Sequence, residues 1–139
     1  MTRFMFPEDF FESNWIEEAF QEMDRIWAHV GTGFPPTDLL VEKDTGETIL
    51  RLAIAGYDRN SISVTTDNDS IIIEGEAQKK EDKYAVISQG IKASNFKARY
   101  PMSNKFDLSK IEASFVDGIL TIKVPVAEEK KPKKVEIKF

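Results

Sequence analysis

Cysteine is absent from the 139 residues and histidine occurs once. Disulfides, thiol catalysis and cysteine-ligated zinc are therefore excluded. The lone His29 falls on the polar side of a helical stretch, and no motif brings a serine or aspartate to it, so it reads as a solvated side chain rather than a catalytic base. The seven glycines never form a G-x-x-x-x-G-K-[ST] pattern, which leaves no recognisable cradle for a nucleotide phosphate. Long apolar runs are missing too. With 41% apolar and 31% charged residues the composition is globular, and no window is apolar or long enough to cross a bilayer. At the N-terminus Arg3 stands alone among acids and aromatics, without the basic-then-apolar order of a secretory signal. The expectation is a soluble, cytoplasmic chain with no catalytic, cofactor-binding or metal-binding residues.

An excess of positive charge is also lacking. The formal net charge is −5, and residues 1–36 alone carry two bases against seven acids. Residues 126–139 reverse the sign, with five lysines against three glutamates. An acidic arm does not suit a nucleic-acid backbone, and the lysine tail is too short and mixed to change that. A membrane-surface helix would favour Lys and Arg on its polar face, whereas here that face is acidic. Asp67-Asn68-Asp69 has the residue types of a calcium loop but lacks the glycine and distal glutamate of an EF-hand, and hairpin turns favour the same residues.

What the chain does contain falls into three parts. Trp15, Ile16, Ala19, Phe20, Met23, Ile26, Trp27 and Val30 recur at helical spacing, with acids between them. This predicts an amphipathic helix over residues 15–30, capped by Asn14 and stopped at Gly31. A hinge follows at Gly31, Gly33, Pro35 and Pro36. From Thr37 the pattern changes to short apolar runs separated by turn residues, which predicts an all-β antiparallel sandwich of seven or eight strands. The runs are Leu39–Val41, Thr48–Ala55, Ile62–Val64, Ile71–Ile73, Tyr84–Ile87, Phe96–Met102, Ile111–Phe115 and Ile119–Val124. Pro101 argues for a sheet edge or bulge at its position. The domain reading is an aromatic arm (1–36), a sandwich (37–125) and a C-terminal extension (126–139).

Two features are left over. Eight of the fifteen aromatics lie in the first 36 residues: Phe4, Phe6, Phe10, Phe11, Trp15, Phe20, Trp27 and Phe34. One reading docks the helix on the sandwich to complete its core. The other makes the arm, soluble by charge and adhesive by surface, a contact region for other subunits or for exposed apolar segments. The second feature is the ending KKPKKVEIKF, in which Val135, Ile137 and Phe139 alternate with Glu136 and Lys138. Extended, these three share one face, yet the preceding strand stops near Pro125 and Pro132 lies between. The tail needs a sheet or groove elsewhere.

In this order the segments resemble the small heat-shock proteins (the α-crystallin-domain or Hsp20 family), most closely the bacterial inclusion-body-binding type, over about Gly33 to Ile137. Ala113-Ser114-Phe115-Val116-Asp117-Gly118-Ile119-Leu120 looks like the family's A-x-x-x-n-G-v-L signature, whose turn falls at Asp117, Gly118, Ile119 and Leu120. Ile54-Ala55-Gly56-Tyr57 resembles its strand-ending motif, Gln89-Gly90-Ile91 and Asn95-Phe96 the bacterial loop segment, and Lys131 to Ile137 its I-x-I tail with Val135 for the first isoleucine. The resemblance implies an immunoglobulin-like β-sandwich and an ATP-independent holdase, not an enzyme, forming homo-oligomers built from dimers. It implies partly unfolded client proteins as partners, which ATP-dependent refolding chaperones then receive. It also assigns residues. Val135 and Ile137 dock in a groove formed by Ile62, Val64, Ala113 and Phe115 of a neighbour, and Arg99, Tyr84 and Val86 lie at the dimer interface. Phe4, Phe6, Phe10, Phe11, Trp15, Phe20 and Trp27 contact clients and other subunits. A co-chaperone of the related CS-domain sandwich type is the rival binding module, but its members generally lack both the arm and the tail.

Overall fold

A computed structural model of the chain describes residues 14–27, 33–78, 81–91, 94–128 and 137–138. Phe4, Phe6, Phe10, Phe11, His29, Gly31 and Val135 lie outside the described residues, as does the side chain of Trp15. One helix, α1 (Asn14–Trp27), precedes strands β1 (Thr37–Val41), β2 (Thr48–Ala53), β3 (Ile62–Asp67), β4 (Ser70–Gly75), β5 (Phe96–Pro101), β6 (Glu112–Val116) and β7 (Ile119–Val124). They form two antiparallel sheets, one ordered β1-β2-β7-β6 and the other β3-β4-β5.

Alternation decides which face of each strand meets the core. Leu50 and Leu52 of β2 pair in register with Ile122 and Leu120 of β7, and all four are buried while Arg51 and Lys123 point to solvent. From the opposite sheet Ile71 and Ile73 come down on them, flanked by Tyr100 and Met102. Each such side chain removed from water contributes about 1.5–3 kcal/mol, which makes this layer the main source of stability. Pro101 ends β5, an edge strand of its sheet, as a residue without an N–H should. Asp67 and Ser70 pair across a two-residue turn at Asn68-Asp69, where Asn68 has φ 55°, so the acidic triplet serves as a hairpin turn.

Gly75 lies opposite Phe96 in the β4–β5 register. A Cβ there would come within 2.3 Å of Cε1 of that ring, so only glycine leaves room for Phe96 over the strand. The ring in turn meets Tyr57 edge-on at 5.3 Å and Phe34 at 5.4 Å.

Three expectations are corrected. The segment Tyr84–Ile87 is loop, not strand. Its residues have strand character, but a strand requires a partner edge and none among the described residues pairs with it. The sandwich, moreover, does not end at Pro125. Val126 bridges Phe106, the Asp107 amide donates to the Pro125 carbonyl (2.9 Å) and the Ala127 amide donates to the Lys105 carbonyl (2.9 Å). Val126 and Ala127 are buried, since proline removes one donor but leaves its carbonyl free to pair.

The third correction concerns α1. Its C-terminal half packs on the sandwich rather than standing apart: Met23 is 1% exposed and Ile26 and Trp27 are packed against the core. The Met23 Sδ accepts from the Ser103 amide at 3.2 Å. Trp27 donates from Nε1 to the Pro101 carbonyl at 2.9 Å and stacks on Tyr100 with centroids 5.4 Å apart. Lys105 Nζ lies 3.8 Å from a Glu18 oxygen and 3.7 Å from one of Glu22. Burial pushes the Tyr100 phenol above its ordinary range, against the opposing hydrogen bond with Thr37 Oγ1. Trp27 and Phe34 therefore belong to the packing of the domain, and Phe20 is half-buried.

Candidate docking groove between the sheet edges

Strands β3 and β6 are edges of different sheets, and the cleft they border is an open groove of about 430 Å³. Ile62, Val64, Ala113 and Phe115, the four residues assigned by resemblance, all line it, together with Arg59, Ser114, Val116 and Leu120. Ile62, Val64 and Phe115 are half-buried. The floor is largely apolar because alternation turns Ile62, Val64 and Phe115 inward while Ser63, Thr65 and Glu112 are exposed.

Backbone phase adds polarity to the groove's margins. The Glu76 amide donates to the Ser61 carbonyl at 3.1 Å. Hydrogen-bonded pairs alternate along an antiparallel ladder, so Ser63 and Thr65 also turn their backbone toward β4, and Ile62 and Val64 turn theirs outward. On β6, the turn at Asp117-Gly118 makes Val116 and Ile119 the first pair, which leaves Ala113 and Phe115 facing away from β7. Each margin thus offers backbone groups to an incoming strand, the requirement for β-strand addition.

The turn that sets this phase is strict about its residues. Asp117 and Gly118 have φ of 54° and 79°, the positive pair that a two-residue hairpin of matching twist demands. A Cβ on Gly118 would lie 2.9 Å from the Ala55 Cβ. The Gly118 carbonyl accepts from the Ile54 amide at 2.9 Å, anchoring the hairpin to the end of β2.

Among the described residues the fold is a seven-strand, two-sheet sandwich, and this architecture agrees with the comparisons. Residues 40–138 match the Hsp20/alpha crystallin family. The chain belongs to the Hsp20/alpha crystallin family. It is 32% identical over 108 residues to a chloroplastic small heat shock protein of Solanum lycopersicum, covering 77% of this chain but only 46% of that one. Small heat shock protein IbpA of Escherichia coli is 21% identical, with 88% of each chain covered. Among solved structures HSP18.5 from E. histolytica superposes with a TM-score of 0.60 at 25% identity, covering 74% of this chain and 97% of that one. A small heat-shock protein from Xylella fastidiosa, described as having a distinct high order structure, also scores 0.60, at 21% identity and with 78% of this chain and 100% of that one covered. The family is one of chaperones, not enzymes.

The remaining assigned residues of this Hsp20-family chain are dispersed. Arg99 lies on the outer face of the three-stranded sheet, where Nη1 meets Asp67 Oδ2 at 3.4 Å with both side chains about half exposed. Tyr84 and Val86 are 63% and 67% exposed in the loop before β5. Ile137 is 77% exposed and away from the groove of its own chain. Among the described residues no helix is long and apolar enough to cross a membrane.

Sequence reasoning missed three contributors. Arg59 borders the groove from a 3-10 turn, Arg59–Ser61, and its Nη2 donates to the Phe115 carbonyl at 3.2 Å. In the sequence it is one more charged turn residue. Met23 and Lys105 hold α1 to the domain, and only the apolar stripe hinted at the former.

Proposed function

We propose that this chain is an ATP-independent holdase that assembles from dimers into exchanging oligomers and captures partly unfolded proteins on apolar surface released by that exchange. The observation that carries the reading is a match within one sequence. An apolar V-x-I alternation at residues 135–137 coexists with an apolar groove whose two margins turn backbone groups outward from their own sheets. Val135 follows Ala127 by eight positions, a span of at most about 26–29 Å, which reaches a neighbouring subunit. Burying Val135 and Ile137 yields about 1.5–3 kcal/mol each before the ordering of the tail is subtracted. One tail therefore binds weakly, and many in one assembly hold together through raised effective concentration.

The same reading gives the exposed loop its role. Tyr84, Val86 and Ile87, apolar and unpartnered as a strand in this chain, add to the free edge of β1 in a second copy, and Arg99 lies at the resulting dimer interface. Phe4, Phe6, Phe10, Phe11, Trp15 and Phe20 supply further contacts to subunits and clients, and refolding falls to separate ATP-dependent chaperones. The test is a heat-sensitive client incubated without ATP alongside the wild type and the Val135→Ala/Ile137→Ala variant, with native mass spectrometry of both. The wild type suppresses aggregation and the variant shifts to dimers or small species at unchanged circular dichroism. Client aggregation unaffected by the wild type would overturn the holdase; a wild-type size distribution in the variant would overturn the tail's part in it.

A further inference from the structure

We infer that Arg59 is a specificity residue of the groove, reading the acidic residue between the two apolar knobs of the tail by pairing with Glu136 when Val135 and Ile137 of a second copy are docked. The inference rests on the reading that the tail occupies this groove. Apart from Arg59, the side chains lining the groove carry no charge, so the cleft presents one cation at an otherwise apolar wall. Among the described residues that cation has no carboxylate partner, and its recorded contact is the Phe115 carbonyl at 3.2 Å. The neighbouring carboxylate of Asp58 is engaged as the cap of the 3-10 turn, accepting from the Asn60 amide at 3.0 Å.

The occupant supplies the complement. Val135-Glu136-Ile137 is flanked by Lys133, Lys134 and Lys138, so Glu136 is the one acid in a basic stretch. In an extended peptide it points opposite to Val135 and Ile137, hence out of the cleft toward its mouth, where the long exposed side chain of Arg59 stands. A guanidinium bonds a carboxylate more strongly than a neutral carbonyl. Moving from Phe115 to Glu136 would also release the Phe115 oxygen, an outward-facing acceptor on the β6 edge, to the backbone of the arriving tail. One side-chain movement thus adds an ion pair and opens a strand-pairing position, and a lysine at 136 would meet a like charge instead.

The experiment uses the full-length Val135→Ala/Ile137→Ala chain as receptor, so that its own tail does not compete, and a fluorescent peptide of residues 130–139 as probe. Anisotropy titrations compare the natural peptide, a Glu136→Lys peptide and a Val135→Ala/Ile137→Ala peptide on receptors carrying Arg59, Arg59→Gln or Arg59→Glu, each checked by circular dichroism. Glu136→Lys should weaken binding to the Arg59 receptor by about two- to fivefold, the range of exposed ion pairs. The preference should vanish on Arg59→Gln, invert on Arg59→Glu and fade at high salt. An inverted preference cannot come from Arg59 merely shaping the groove. Equal ratios on all three receptors, with the apolar-deleted peptide failing to bind, would overturn the role of Arg59 and leave tail docking standing. If the natural peptide binds no better than the apolar-deleted one, docking itself fails and the inference falls with it.

Discussion

Replacing Met23 with alanine asks whether α1 is part of the sandwich or a removable cover. Its side chain is 1% exposed and its sulfur takes the Ser103 amide at 3.2 Å, so the truncation costs about 2–5 kcal/mol if the helix stays in place. Ile26 and Trp27 are only partly buried against the core, and the other specific ties are no larger together. The Trp27 hydrogen bond contributes about 0.5–1.5 kcal/mol and its stack on Tyr100 about as much again, while the contacts of Lys105 with Glu18 and Glu22 add roughly 0–1 kcal/mol. Ordering the helix and hinge opposes all of them. The helix should therefore come off while the strands stay folded. Hydrogen exchange read by mass spectrometry would show protection in residues 14–27 falling by about thirtyfold or more, the equivalent of 2 kcal/mol, with β2, β4 and β7 changed little. Met23→Leu, which keeps the volume, should cost less than about 1.5 kcal/mol. Wild-type exchange in α1 of the alanine variant, or an equal loss of protection in the helix and all strands, would refute the reasoning.

Gly118→Ala should lower stability by about 2–4 kcal/mol in denaturant melts, combining a left-handed backbone with a methyl 2.9 Å from the Ala55 Cβ; no change would mean that the hairpin can rearrange freely. Thr48→Val should raise the melting temperature by a few degrees, because the Thr48 hydroxyl is buried without a partner among the described residues and removing such a group recovers roughly 1 kcal/mol. Arg99→Ala should cost the isolated fold no more than about 1 kcal/mol, given the exposed pair with Asp67, so a larger loss of dimer affinity in sedimentation would report the interface and an unchanged dimer would remove Arg99 from it. Glu42 is held below its ordinary value of 4.5 by the Thr45 side-chain and backbone hydrogen bonds; its contribution is present above that value and lost as pH falls through the depressed one, so Glu42→Gln should flatten the decline of stability in acid.

How far the sequence revealed this depends on whether a residue's role is local. The alternation around Leu50, Leu52, Leu120 and Ile122 and the Asp117-Gly118 turn state their own conformations, because period and positive φ are properties of the chain itself. Tyr84 to Ile87 also carries strand character, but pairing is a property of two edges and this chain supplies one. The stripe of α1 reads the same whether it faces its own sandwich or another subunit; the contacts of Met23 with Ser103 and of Trp27 with Pro101 and Tyr100 distinguish them. At the other end Pro125 looked like a stop because it lacks a donor, and the carbonyl that Asp107 uses was not legible. The groove residues Ile62, Val64, Ala113 and Phe115 followed from resemblance, whereas Arg59 followed from neither pattern nor motif, since an arginine after an aspartate in a turn usually belongs to solvent.

A protein proposed to hold sticky chains must keep its own sheet edges from pairing without limit, and the edges of these two sheets differ in how they do so. β5 carries Lys97 and Arg99 on its outer face and ends in Pro101, charge and proline being the usual deterrents to edge pairing. β3 finishes in the polar run Thr65-Thr66-Asp67, and β6 begins with the exposed Glu112. What stays open on β3 and β6 is a short stretch at Ile62–Val64 and Ala113–Phe115, room for two alternate apolar side chains and little more. A longer apolar strand would run from that stretch into charge and polar backbone after a few residues. On the proposed reading the groove would therefore favour a brief V-x-I segment, whose burial is small enough to release again, over the extended pairing that leads to aggregation.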